Sequence, residues 1–243
     1  MKKLIFIISI FLYISTFAEN PLFVKANQQY NKENYFAAIS LYDSIIKNNL
    51  ESSAIYHNLG NCYYKTQDWA NAIWHYEKSL MLKKDKNTLE NLELTKLKIK
   101  DKIQPIPQLF YKKWWNNLIH LQSTKSWQIL SLICIWIILI FYILNKLMKY
   151  KNKYILYFLN VLLITLLYIS FSSYQLQYNT SQAIIFSSSV NVNSAPTEKS
   201  KNLFSLHAGT KVIILDNIED WIKIKIADGK NGWIKATNCR ILK

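Results

Sequence analysis

Cys62, Cys134 and Cys239 are the three thiols of this 243-residue chain, and their spacing decides what they can do. No two of them form a CxxC pair and no His stands at ligand spacing beside them, so zinc, iron–sulfur and thioredoxin-type chemistry lack their ligands. Cys134 lies inside an apolar run, where no disulfide partner is at hand. The chain also carries no HExxH, GxSxG, P-loop or GxGxxG, and no paired carboxylates at a defined spacing. The sequence therefore predicts no catalytic residue, no metal site and no cofactor. Its polar and aromatic residues are spaced for recognition instead.

One set of such residues recurs with a period. When NLGNCYYKTQDWANAIWHYEKSL (58–80) is laid over the chain upstream of it, Ala26, Asn27, Tyr30, Tyr35, Ala38, Ile39 and Tyr42 fall under Gly60, Asn61, Tyr64, Trp69, Ala72, Ile73 and Tyr76. Small residues where two helices cross, with aromatics between them and a period of about 34 residues, resemble the tetratricopeptide repeat. The resemblance implies paired helices, with Gly60 and Ala72 at the crossing and Tyr63 and Tyr76 filling the space. It also implies a concave groove lined by the first helix of each pair, so the expected protein-binding residues are Asn27, Tyr30, Asn31, His57, Asn61, Tyr64 and Lys65. Asn27 and Asn61 occupy matching places and are expected to point outward, able to hydrogen-bond a peptide. Phe23 stands where carboxylate-clamping relatives of this repeat place a Lys. The stretch 87–100, with Leu89, Leu92, Leu94, Leu97 and Ile99, reads as a helix capping the stack, because a repeat cannot bury its face alone.

A second recognition module is expected after residue 182. Val190 and Val192, then Val212 and Ile214, then Ile222, Ile224 and Ile226 alternate with polar residues, and AGT, EDW and DGKNGW punctuate them as turns. About five short strands in 60 residues imply a small barrel. The order VNVNSAP, AGT, DW, DG, GWI resembles the bacterial SH3-like domain, in which an Arg is usual where Asn193 stands here. Trp221 and Trp233 are the candidate ligand surface of that domain, able to stack on a glycan or a peptide, or else to pack its core.

Two apolar runs separate the modules. WQILSLICIWIILIFYIL (127–144) and YILYFLNVLLITLLYISFSSY (154–174) each approach the roughly 20 residues needed to cross a hydrocarbon core, and neither shows a polar face. Asn160 and Thr165, polar but not ionisable, are expected to hydrogen-bond the neighbouring helix. The connection NKLMKYKNKY holds Lys146, Lys149, Lys151 and Lys153 and no acidic residue, which marks it as cytoplasmic. Lys112, Lys113 and Lys125 before the first run are a weaker signal of the opposite sense. At the N-terminus, MKKLIFIISIFLYISTFAEN has the charged and apolar regions of a secretory signal with a cleavage edge at Ala18. PQLFYKKWWNNLIHL (107–121) mixes aromatics with Lys as a headgroup-level helix does. The chain holds 30 Lys and Arg against 15 Asp and Glu, and residues 105–182 account for seven Lys with no acid. That excess sits beside the membrane, so it is a topology signal and not a nucleic-acid-reading face.

The expected organisation is a multidomain membrane protein. It comprises a signal peptide (1–18), an all-α tetratricopeptide domain (19–104, with repeats at about 19–52 and 53–86 and a cap over 87–102) and an interfacial segment (105–125). Transmembrane helices over 126–147 and 154–174 flank a Lys-rich loop (148–153), and a tether (175–182) leads to an all-β SH3-like barrel (183–243). This order, over nearly the whole chain, resembles the BatE-type group of the Bat aerotolerance family. The resemblance implies a non-enzymatic scaffold of the bacterial inner membrane with both globular domains periplasmic, and partners among envelope proteins bearing von Willebrand A domains. The alternative is an anchor that holds peptidoglycan through the SH3-like domain. Neither reading calls for nucleic acid.

Overall fold

The structure, a computed structural model, describes residues 20–119, 121–148, 153–178 and 181–242. The expected signal peptide and Lys149 and Lys151 of the connecting loop lie outside the described residues. The chain divides into two compact units, one ending at Lys100 and the other beginning at Asp101.

The first unit is helical: α1 Pro21–Asn31, α2 Tyr35–Lys47, α3 Ser53–Lys65, α4 Trp69–Leu82 and α5 Lys86–Lys96. Four starts are fixed by side chains that satisfy otherwise unpaired backbone N–H groups. Asn20 accepts from Leu22 N, Ser52 from Ile55 N, Asp68 from Asn71 N and Asp85 from Thr88 N. The turn after α1 and the turn after α3 are the same turn. Glu33 and Gln67 both take φ 62°, and the next N–H in each case reaches back along the helix, Asn34 to Gln29 O and Asp68 to Tyr63 O, both at 2.9 Å. This is the hydrogen-bond pattern of a helix closed by a left-handed residue. Its recurrence at Gln67 after Glu33 matches the period read from the sequence.

Ala26, Ala38, Tyr42, Ile45, Ile55, Tyr56, Leu59 and Cys62 form one buried core across α1, α2 and α3. The α5 helix departs from expectation: it stops at Lys96 and buries Thr88, Leu92 and Thr95. Those three are spaced four and then three positions apart, on one face of a helix. Leu89, Leu94 and Leu97 fall on other faces and are 49%, 53% and 68% exposed. Counting leucines misplaced the packing face, because two of its members are threonines whose hydroxyls bond Asp85 and the Asn91 carbonyl.

The second unit contains α6 Phe110–Ile119, two long helices α7 Thr124–Met148 and α8 Lys153–Tyr178, and a β domain. Within α7 and α8, Thr124–Leu147 and Tyr154–Leu176 are long and apolar enough to cross a membrane, and most of their large side chains face outward. The two helices pack on each other through small and polar residues, with the hydroxyls of Thr124 and Ser173 2.7 Å apart and buried. Asn160 and Thr165 do not join that contact. Each is exposed and bonds its own helix, Asn160 Nδ2 to Leu156 O and Thr165 Oγ1 to Leu162 O, both at 2.7 Å. A polar group in an apolar stretch finds its nearest acceptor one turn back. At its end α6 is tied to α7, where Trp127 Nε1 donates to Ile119 O at 3.0 Å, and Trp115 packs on Tyr168 of α8 with ring centroids 5.4 Å apart.

The β domain has seven strands where about five were expected: β1 Gln182–Ile185, β2 Ser189–Asn193, β3 Asn202–His207, β4 Lys211–Ile218, β5 Trp221–Lys225, β6 Asn231–Lys235 and β7 Cys239–Leu242. They form one antiparallel sheet in the order β3-β2-β6-β5-β4-β1-β7. The additional pair is β1 with β7, each four residues long. The stretch read as a tether is shorter than expected, since α8 runs to Tyr178 and β1 begins at Gln182. Inward residues of the strands, among them Ala183, Val192, Leu206, Val212, Ile224 and Ile234, make the core. Gly232 has no room for a side chain: a Cβ there would meet Val192 Cγ1 at 2.6 Å and Asn193 O at 2.8 Å.

Candidate functional site in the helical unit

A cavity of about 240 Å³ opens among α1, α3, α4 and α5, lined by Tyr30, Asn61, Tyr64, Lys65, Tyr76, Asn91 and Leu94. Four of the seven expected binding residues are brought together here: Tyr30, Asn61, Tyr64 and Lys65. The volume lies below the roughly 300–1,000 Å³ of a typical small-molecule site. It suits one or two side chains of a partner better than a cofactor.

The polar floor is built by a bond that the fold makes twice. Tyr76 donates to Asn61 Oδ1 at 2.7 Å, and one period upstream Tyr42 donates to Asn27 Oδ1. Each oxygen takes a second bond from a later helix, Asn61 from Asn91 Nδ2 and Asn27 from Asn58 Nδ2, both at 3.0 Å. Both asparagine oxygens are therefore engaged in tying helices together, and they are not free for a peptide as their outward place in the repeat implied. The Asn61 Nδ2 group has no partner among the described residues, which leaves it as the amide donor at the cavity wall. Burial raises the pKa of Tyr30 and of Tyr76, so both phenols stay protonated and remain donors.

The walls are aromatic and cationic. Tyr64 meets Trp69 edge-on at 5.4 Å, as Tyr30 meets Tyr35 at 5.5 Å one period earlier. Lys65 is exposed at the rim and supplies the positive charge, and Leu94 supplies an apolar edge. The arrangement can take an acidic or amide side chain, or a carboxylate, flanked by apolar atoms.

Three expected residues stand elsewhere. Asn27 belongs to the upper Asn–Tyr network, and Asn31 is exposed at the end of α1. His57 Nδ1 is 2.8 Å from Thr88 Oγ1, and burial lowers its pKa. Asn91 and Leu94 were missed as wall residues, and Tyr76 was read only as filler. Asn91 had no signal at the repeat period, because Leu92 occupies the place one period after Asn58 and the amide comes from the residue before it. Among the described residues no three His, Cys, Asp or Glu side chains gather closely enough to hold a metal ion.

In the β domain the two tryptophans share a face. Trp221 lies opposite Lys235 and Trp233 opposite Lys223, so all four side chains project to one side of the β5–β6 pair. Trp233 is buried, with the Lys223 ammonium 6.0 Å from its ring centroid, whereas Trp221 is half-buried. Lys235 is paired with Glu198. The chain matches no curated protein. Residues 188–238 match the family model of the bacterial SH3 domain, which places the C-terminal module of this chain in that family.

Proposed function

We propose that the chain is a membrane-anchored protein–protein interaction scaffold of the bacterial envelope, working through the tetratricopeptide-like groove of its helical unit and not as an enzyme. The observation that carries this reading is the doubled construction of that unit, in which the Asn–Tyr bond and the left-handed turn each recur at the repeat period. Repetition of one helix pair with a recessed polar floor is the design of peptide-gripping solenoids. Two helices of spanning length and the Lys-rich connection between them support an inner-membrane anchor with the connection in the cytoplasm and both globular modules on the other side. The order of the modules supports a place in a Bat-type stress or aerotolerance complex, beside membrane proteins with von Willebrand A domains.

A second reading rests on the bacterial SH3 domain match and the Trp221–Lys223–Trp233–Lys235 face. Aromatic and cationic groups side by side fit a glycan bearing acidic peptides, so the C-terminal module would hold peptidoglycan. One experiment separates the two. A photo-crosslinker at Lys65 in native membranes is expected to capture an envelope protein. Capture of nothing there, together with sedimentation of the chain with purified cell wall lost on Trp221→Ala, would reject the groove in favour of the wall.

A further inference from the structure

The second unit opens with a segment that is not merely a connection. Asp101 Oδ2 accepts from the His207 backbone N–H at 2.7 Å and from the Thr210 hydroxyl at 2.6 Å, while Oδ1 lies 2.7 Å from His207 Nδ1. Burial pushes the Asp101 carboxyl pKa up, but the bonds from Thr210 and His207 outweigh it and hold the group below the usual carboxylate value. Two residues on, Ile103 packs against the core of the β domain. Three further on, the Ile106 N–H donates to Ala227 O at 3.2 Å. Its Cδ1 stands 2.7 Å from where a Cβ on Gly229 would be, at a position with φ +90° that favours glycine in any case.

The attachments fall at the first and third residues through side chains and at the sixth through the main chain, where the Ile106 side chain itself is 58% exposed; Lys102, Gln104 and Pro105 between them are exposed. A carboxylate is held by a backbone N–H, an imidazole and a hydroxyl. A partly buried aliphatic side chain then packs against the core of the domain, and a main-chain bond follows. This is how an extended peptide is read by a receptor, through anchored alternate side chains and main-chain bonds. Charge-assisted bonds to one carboxylate are also the strong and selective kind.

We propose that the surface of the β domain between the β3–β4 turn and the β5–β6 turn is a peptide-binding site, occupied here by the chain's own residues 101–106. Its ligand in trans is an extended peptide with an aspartate followed by an aliphatic residue two positions later and a free backbone N–H five positions later. The internal segment competes at the high effective concentration that covalent linkage gives it, on the order of millimolar. It acts as a gate that a matching partner opens. This site is separate from the helical cavity and from the tryptophan face, and it stands whether or not either of those binds anything.

The test uses the full chain in nanodiscs and a fluorescent peptide of the sequence KDKIQPIPQ, residues 100–108. A variant with 101–106 replaced by Gly and Ser of equal length is expected to bind the peptide about ten-fold tighter than wild type or better. Adding His207→Ala and Thr210→Val to that variant is expected to remove the binding. Equal affinity in wild type and the replaced chain, or binding that survives the two changes, overturns the proposal. A second measurement needs no altered protein. Excess unlabelled peptide is expected to speed tryptic cleavage of wild type after Lys102, and the same peptide carrying Asp101→Asn and Ile103→Ser is expected not to. A cleavage rate indifferent to the peptide, or equally raised by both peptides, overturns it as well.

Discussion

Gly60 lies directly beneath the ring of Tyr76: a Cβ on Gly60 would stand 2.5 Å from both Cδ1 and Cε1. Tyr76 is 1% exposed and cannot swing away without leaving the bond it makes to Asn61. One period earlier the same crossing holds Ala26 and Tyr42, both fully buried, so a methyl is accommodated there. The difference between the two crossings is local spacing, and the Gly is required only at the second.

Gly60→Leu should therefore overpack the α3–α4 crossing, at a cost of about 1–3 kcal/mol. Cys62 offers the readout. It is fully buried, and burial pushes its thiol up to about 12, so it should react with alkylating reagents only when the unit opens. The variant should label Cys62 roughly 5- to 150-fold faster than wild type, the range that about 1–3 kcal/mol represents. An unchanged labelling rate would mean that Gly60 is not at a tight crossing.

Asn61 and Tyr64 line one cavity but should answer differently to truncation. Asn61→Ala removes an acceptor shared by Tyr76 and Asn91, leaving a buried phenol unsatisfied at a cost of about 1–3 kcal/mol. Its effect on binding would be confounded by its effect on folding. Tyr64→Ala with Lys65→Ala removes an aromatic wall and a rim charge that hold no helix–helix hydrogen bond. With the photo-crosslinker moved to Leu94 on the same cavity, we expect this pair to abolish crosslinking to partners while Cys62 labelling rises less than it does in Asn61→Ala. Retained crosslinking in the pair would remove the cavity from consideration as the binding surface.

The sequence was legible where side-chain size and period speak for themselves. The spacing of Ala26, Ala38, Gly60 and Ala72 located the helix crossings, because close approach admits only small residues there. The alternation around Val190 and Ile224 located the β core for a similar reason. Polar pairing was not legible. Asn27 and Asn61 looked like free amides at matching places, and only the structure reveals that Tyr42 and Tyr76, on the following helices, engage their oxygens. The Asp101 anchor was hidden for a different reason, since its partners His207 and Thr210 lie far away in the chain and nothing local marks a carboxylate as their ligand.

The proposed topology places Ser53 and Ser200 on one side of the membrane and Asn152 on the other. In chains with Cys62 and Cys239 replaced, single thiols at those positions should separate accordingly. A membrane-impermeant reagent applied from outside the cytoplasm should label positions 53 and 200 and leave 152 untouched. Labelling of 152 from that side would invert the model, and labelling of 53 and 200 in different compartments would mean that one of the two apolar helices does not span.

The helical unit should weaken in mild acid, and His57 should be a cause. Thr88 donates its hydroxyl proton to Asp85 Oδ2, so its oxygen accepts from His57 Nδ1–H, a bond that the neutral ring and the imidazolium can both make, and burial is what disfavours the charged ring. Burial lowers the pKa of His57 from its ordinary 6.5, and the nearby Asp85 charge offsets this only in part. A histidine whose folded pKa lies below its unfolded one takes up its proton more readily in the unfolded chain. Its contribution is thus fully present above about pH 6.5 and is lost as the pH falls through the depressed folded value. Asp85 is itself held below the usual carboxylate range, so it stays charged throughout this window. Between pH 7.5 and 5.5 the opening measured at Cys62 should increase in wild type, with labelling corrected for the reagent's own pH dependence. His57→Gln keeps a donor for Thr88 and cannot titrate, so its profile should be flatter by the share that His57 contributes. Other histidines are common to both chains and cancel in the comparison. Parallel profiles would show that His57 takes no part in the acid response, and that its buried site tolerates the imidazolium as well as it does the neutral ring.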